Sequence, residues 1–212
     1  MADIFEEIDE ELKQDRFYQW WKQYGKFVVA VLTILILATG AFFWWDSYQK
    51  KQLEAQSASL SSAVAMVTAG KNEEAGKVFD DLIAEGGTYG MLAGFERAKL
   101  HLTMGDKAGA IGVLEAISAD TGLDDQYRDR AKLFALMQQI GDKDAAELIN
   151  GFEALAAPTG TYRFTALEMI GVVKAQSGDV EGAKEGLNEL VKIEDVPPSL
   201  VTRVEEFLKT LD

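Results

Sequence analysis

The sequence predicts an all-α protein: one N-terminal transmembrane helix, then a solenoid of about four helix pairs with a C-terminal capping helix. Three observations predict it. From Phe27 to Trp45 there are 19 residues without a charged side chain. A glycine-led turn recurs at Gly70, Gly105, Gly141 and Gly178. Only three prolines occur in 212 residues, whereas Ala, Leu, Glu and Lys are plentiful, as expected of a chain that is helical throughout.

The uncharged stretch comes first. At about 1.5 Å rise per residue it is roughly 28 Å long as a helix, close to the hydrocarbon thickness of a bilayer. All four tryptophans bracket it, Trp20 and Trp21 before and Trp44 and Trp45 at its end; Phe17 and Tyr24 extend the first belt and Tyr48 the second. Aromatic rings collect where headgroups meet hydrocarbon, so both belts read as interfacial anchors. A cleaved signal peptide fits poorly. The 26 preceding residues hold seven acidic and four basic side chains, and Phe42-Phe43-Trp44-Trp45 gives no small-residue cleavage site. A buried core helix would carry more polar interruptions than Thr33 and Thr39.

Lys13, Arg16, Lys22 and Lys26 precede the stretch, against Lys50 and Lys51 beyond it. That bias places the N-terminus in the cytoplasm and the C-terminal domain across the membrane, which in a Gram-negative bacterium means an inner-membrane protein with its domain in the periplasm. The absence of cysteine permits an oxidising compartment. The predicted division is a cytoplasmic acidic segment (1–26), a transmembrane helix (27–45) and a periplasmic domain (46–212). In the first segment Ile4, Ile8 and Leu12 recur every four residues, which suggests a short amphipathic helix. No Pro or Gly interrupts residues 46–57, so the membrane helix is expected to merge into the first repeat helix near Leu53 and Leu60.

The repeat begins GKNEEA at Gly70, GDKAGA at Gly105, GDKDAA at Gly141 and GDVEGA at Gly178, with separations of 35, 36 and 37 residues. Glycine ends a helix in the left-handed conformation without a side-chain clash. Asp106, Asp142 and Asp179 then stand ready to cap the next helix, with Asn72 taking the part where Lys71 fills that slot. Ala75, Ala110, Ala146 and Ala183 are small where paired helices would approach. After each glycine the spacing is helical, as in Ala75, Val78, Phe79, Leu82 and Ile83, in Ile111, Leu114 and Ile117, and in Val180, Ala183, Leu187, Leu190 and Val191. Before each glycine it is helical too: Leu92, Phe95 and Leu102; Leu133, Leu136, Met137 and Ile140; Leu167, Ile170 and Val173. A helix–turn–helix unit of about 34 residues is the tetratricopeptide period. The third copy is the least regular, around Asn150 and Glu153. Pro197-Pro198 stops the fourth pair, and Leu200, Val204, Phe207, Leu208 and Leu211 form an amphipathic helix suited to cover the open end of the stack.

Charge and residue chemistry exclude several functions. Of 35 acidic and 21 basic residues, 28 and 17 follow Trp45, leaving −11 on that part. Such a surface repels nucleic acid, whose binding needs clustered Lys and Arg. The chain has no cysteine, one histidine and no Gly-rich phosphate loop. No catalytic, cofactor-binding or metal-ligating residues are therefore assigned, and no cofactor is expected. His101 stands among Leu100, Leu102 and Met104 without a second ligand or base in view, which favours a structural role. Glu73-Glu74, Asp80-Asp81 and Asp124-Asp125 read as helix-start or polar-face acids. Met66, Met91, Met104, Met137 and Met169 read as core filling.

Thr88-Tyr89-Gly90 is less easily explained. Thr88 suits a helix cap, but Tyr-Gly just inside a helix start is poor helix chemistry. Gly90 and Gly94, four apart, would let a neighbouring helix come close; packing between repeats is the favoured account and a partner-binding edge the other. With Leu92, Ala93, Glu96 and Ala98 the stretch resembles the TYG-x-LA helix of the ancillary subunit family of the bacterial SecYEG translocon. The segment from Leu167 through SGDVEGA to Asp195-Val196-Pro197 is similar to that family's last repeat. The resemblance implies a periplasmic domain that associates with the SecYEG translocon and a membrane-anchored periplasmic chaperone of the prolyl isomerase-like type, and that helps hand over newly exported polypeptides. It carries over no binding residues. Tethering raises the effective concentration near membrane partners, so weak contacts suffice for an adaptor. A scaffold for cell-envelope or cell-wall assembly is the alternative, and an enzyme is disfavoured by the missing constellation of reactive side chains.

Overall fold

A computed structural model describes the backbone of residues 3–211 and the side chains of residues 18, 20–27 and 29–211. The side chains of Ile4, Ile8, Leu12, Lys13, Arg16 and Phe17, invoked above, lie outside the described residues. Two compact units divide the chain, Met1–Ala55 and Gln56–Asp212. Among the described residues the secondary structure is helical and no strand occurs.

Helix α1 (Asp3–Thr68) takes up the uncharged stretch, and it passes Leu53 and Leu60 without a break. One 18-residue portion averages 2.5 in mean hydropathy, and none of it is buried. Ile36 is 71 % and Leu37 66 % exposed, although at about 25 cal/mol per Å² such side chains strongly favour leaving water. Helix length and apolarity are sufficient to cross a membrane. Trp20 leans on Tyr24 at 6.0 Å between ring centroids, and Trp44 stacks on Tyr48 at the same distance. Thr33 and Thr39 donate their hydroxyls to the carbonyls of Val29 and Leu35, four residues back, which pairs both hydroxyl groups of that stretch.

The second unit stacks helix pairs. The end of α1 pairs with α2 (Asn72–Glu85), α3 (Gly87–Thr103) with α4 (Lys107–Ala119), α5 (Asp125–Gln139) with α6 (Ala145–Glu153), and α7 (Arg163–Gln176) with α8 (Val180–Leu190); α9 (Pro198–Thr210) follows. Gly70, Gly105, Gly141 and Gly178 all turn with positive φ, between +76° and +95°, the conformation that L side chains resist. Asp106 accepts from the Gly109 N–H at 2.9 Å and Asp179 from the Gly182 N–H at 3.0 Å, so two of the expected caps form.

The other two do not. Asn72 is already the first helical residue of α2, and Lys71 at the N-cap makes no side-chain bond. In the third copy the turn is two residues longer, and Asp144, not Asp142, accepts from the Ala146 and Glu147 N–H groups. Ala146 therefore sits in the exposed first turn of α6. Counting from each N-cap residue (Lys71, Asp106, Asp144, Asp179) restores the register. The fourth residue on is Ala75, Ala110, Leu148 or Ala183; the eighth is Phe79, Leu114, Phe152 or Leu187; the eleventh is Leu82, Ile117, Leu155 or Leu190. All twelve are buried. Positions 4, 8 and 11 share one helix face at 3.6 residues per turn, except that Leu155 falls in the turn just past α6, and that face closes every pair.

The core is a chain of four clusters, and the first helix of each inner pair serves two of them. Ala93 and Leu100 of α3 belong with Ala63, Phe79 and Leu82, whereas Met91 and Ala98 belong with Leu114, Ala131 and Ala135. Likewise α5 gives Ala131 and Ala135 to one cluster and Leu133 and Leu136 to the next. Leu92 and Leu102, expected to bury α3 together with Phe95, are 40 % and 38 % exposed; Ala93 and Leu100 on one flank and Met91 and Ala98 on the other do the packing instead. Met104 is also exposed, at 55 %, because α3 ends there. Thr88 lies inside the first turn of α3, since Gly86 and Gly87 at φ +77° and +67° complete the turn before it. Helix α9 covers the last cluster with Leu200 and Val204, and Arg203 grips Glu168 of α7 with two charge-assisted bonds. Glu168 is the one buried charged residue among those described, and this pairing is what makes its burial tolerable.

Candidate partner-binding surfaces

Because α3 is packed on both flanks, its remaining face is free to meet other molecules. Leu92, Phe95, Lys99 and Leu102 recur there at three- and four-residue steps. Opposite, α5 presents Arg130, Phe134 and Gln138, and between the two helices lies a cavity of about 380 Å³. Phe95 and Phe134 meet edge to face at 6.3 Å and 83°. The Arg130 guanidinium lies 5.2 Å from one ring centroid and 5.3 Å from the other, a cation–π contact with both rings. The groove thus offers apolar area, two aromatic rings and a cation side by side, which suits an extended segment or a helix of a partner.

A second cavity, of about 270 Å³, opens where α2 turns into α3. Its floor follows from the glycines singled out in the sequence. A Cβ on Gly90 would stand 2.8 Å from the Leu82 carbonyl oxygen, and one on Gly94 2.8 Å from Ile117 Cδ1. Gly90 thus admits the backbone of α2 and Gly94 a side chain of α4, so both packing and an accessible edge are served by the same glycines. Ile83, Val113 and Ala116 form walls, and Asp80 and Asp120 are the charged residues of the lining. Asp80 is held by Arg97 at 2.8 and 3.1 Å; Asp120 accepts from the Gly122 N–H at 2.9 Å.

His101 has a partner that sequence spacing did not reveal. Its Nδ1 lies 2.7 Å from Oδ2 of Asp106, the carboxylate that caps α4. The Gly109 N–H first, and the histidine second, hold the Asp106 carboxyl below its ordinary pKa. Sequence reading placed no function on this pair, and the two side chains join the end of one helix to the start of the next. Lys107 reaches Asp142 of the next pair at 2.5 Å, and Gln139 donates to Glu115 at 3.0 Å. Among the described residues, no three of His, Cys, Asp and Glu gather as they would around a metal ion.

With this geometry in hand, the chain compares with known proteins as follows. A family model for a tetratricopeptide repeat-like domain matches residues 18–189, which includes the apolar stretch as well as most of the helix pairs. Among solved structures, a kinesin light chain-like protein of Podospora anserina with nearly identical TPR-like repeats superposes with a TM-score of 0.53, and a point variant of it with 0.54. Each is 15 % identical to this chain, with 73 % of this chain and 83 % of the other covered. That likeness concerns the fold alone. No curated protein matches this chain.

Proposed function

This chain belongs to the tetratricopeptide repeat-like family, and from that premise we propose that it is a membrane-tethered adaptor, not an enzyme, working at the protein-export translocon. The observation that carries the reading is the pairing, in one chain, of an 18-residue apolar helical stretch, none of which is buried, and a helix stack that leaves the α3–α5 groove open. Residues 27–45 cross the inner membrane, residues 1–26 stay in the cytoplasm, and residues 46–212 work in the periplasm. Exposed aliphatic side chains such as Ile36 and Leu37 then meet lipid, and the tryptophan belts meet the headgroups. The face built by the first helices of each pair receives protein segments, as stacked helical repeats do.

The partners follow from the resemblance of Thr88-Tyr89-Gly90 and of the last repeat to the ancillary SecYEG subunit family: the SecYEG translocon, a membrane-anchored periplasmic chaperone and newly exported polypeptides. The −11 charge beyond Trp45 disfavours nucleic acid. The test is gentle detergent extraction of the tagged full-length chain and identification of what co-purifies. SecY with a periplasmic chaperone, lost when the anchor is exchanged for an unrelated one, supports the translocon reading. Recovery of envelope or cell-wall assembly factors alone overturns it in favour of a scaffold.

A further inference from the structure

We propose that the pocket at the α2–α3 turn is a second recognition site, one that takes an apolar side chain from a polypeptide segment with Lys or Arg beside it. At about 270 Å³ the cavity has room for one or two side chains, the anchor residues that dominate protein contacts. Wall chemistry argues for an apolar anchor: Ile83, Met91, Val113, Ile117 and Leu123 line it, and Ile83 is 37 % exposed. A Cβ at Gly86 or Gly87 would meet nothing within 4 Å, so the mouth is open on that side.

Charge decides what flanks the anchor. The charged lining residues are both carboxylates, Asp80 and Asp120. Arg97 already answers Asp80, but Asp120 pairs with no cation among the described residues and only receives a backbone N–H. The part of the chain beyond Trp45 carries −11, so its wider field also attracts a basic segment. The α3–α5 groove differs in sign, since Arg130 lies over its rings. The two sites therefore select differently charged segments, and the unit engages two protein segments at once.

The test uses the full-length chain in phosphatidylcholine nanodiscs, with empty discs subtracted. Two fluorescein-labelled probes are titrated by anisotropy: Lys-Lys-Gly-Leu-Phe-Gly-Lys-Lys and its charge-reversed form with Glu for each Lys. The basic peptide is expected to bind about tenfold more tightly than the acidic one. Ala116→Trp, which fills the mouth from an exposed position, and Ile83→Ser, which strips a wall, each weaken it about tenfold. Asp120→Asn keeps the acceptor for the Gly122 N–H, removes the charge, and weakens it about threefold. Glu181→Gln, which removes an exposed carboxylate of α8 outside the pocket lining, leaves it unchanged. Equal binding of both peptides, unchanged binding in both Ala116→Trp and Ile83→Ser, or loss in Glu181→Gln overturns the site. Co-purification with SecY is a separate readout, so this pocket and the translocon reading fail independently.

Discussion

The α3–α4 and α5–α6 pairs begin their turns with nearly the same six residues, GDKAGA and GDKDAA, yet they close at different places. In the first, the Asp after the glycine caps the helix; in the second, the cap falls to Asp144, two residues later. The result is a different buried residue at the fourth position after the cap, Ala110 in one pair and Leu148 in the other. The larger side chain needs more room in the pair, and Gly151 makes room nearby by accepting Leu136 against its backbone, where a Cβ would stand 2.8 Å from Leu136 Cδ2. What fixes a repeat's frame is therefore the carboxylate that reaches the free N–H groups, not the glycine that ends the previous helix.

The largest effect should come from Phe152, the fully buried eighth residue of the irregular pair. Helix α6 spans nine residues and buries only Leu148 and Phe152. Phe152→Ala should cost about 3–5 kcal/mol in urea unfolding; a loss under about 1 kcal/mol would mean that α6 is not held by this face. Leu148→Ala sharpens the comparison, because it installs the residue found in the other three copies. A cost of about 2–4 kcal/mol is expected, since the pair is built around the leucine and leaves a cavity without it. Should the loss fall near zero, the helices would be free to close as they do in the regular pairs.

Next in size are the caps. Asp144→Ala should lose about 1 kcal/mol and Asp142→Ala less than about 0.5 kcal/mol, because the second removes only an exposed ion pair with Lys107. The reverse order would restore the frame read from the glycines. In the regular pair, Asp106 has its pKa lowered by the Gly109 N–H and His101. A carboxyl with a depressed folded-state pKa stabilises above its unfolded value, near 4, and loses that contribution as the pH falls through the folded value. Asp106→Asn should accordingly be less stable than the parent at pH 6, with the gap narrowing in acid as the parent loses its advantage. A gap that does not change with pH would remove the carboxylate from the account.

Much of this was legible in sequence. The uncharged stretch, the four turns, the faces of α2, α4 and α8 and the terminal helix all follow from spacing and glycine, because each of these repeat helices buries one stripe and leaves the rest to water. Helix α3 was misread for the opposite reason. It buries two flanks, Ala93 and Leu100 on one and Met91 and Ala98 on the other, so its buried residues do not fall on a single stripe. Leu92, Phe95 and Leu102 lie on the less buried face between those flanks, so the spacing picked out in the sequence marked the open face and not the core. The His101–Asp106 contact was hidden because the turn, not the helix spacing, brings the two together. The pocket beside Gly90 was half visible: the glycines announced a close approach without saying that it left a cavity next to it.

The smallest effect separates two glycines at the same place in the frame, the seventh residue after the cap. A Cβ at Gly151 meets Leu136, whereas one at Gly186 in α8 meets nothing within 4 Å, and neither glycine has a positive φ. Glycine inside a helix costs about 0.5–1 kcal/mol relative to alanine through the freedom it has when unfolded. Gly186→Ala should therefore raise stability by about that amount, measured as a higher urea midpoint at constant slope. Gly151→Ala has the same helical gain available but forces Leu136 aside, and overpacking of a filled core costs about 1–3 kcal/mol. The same substitution is thus expected to stabilise one pair and destabilise the other. If both variants gain stability, Leu136 has room to move, and the third pair is looser than its fully buried Phe152 suggests.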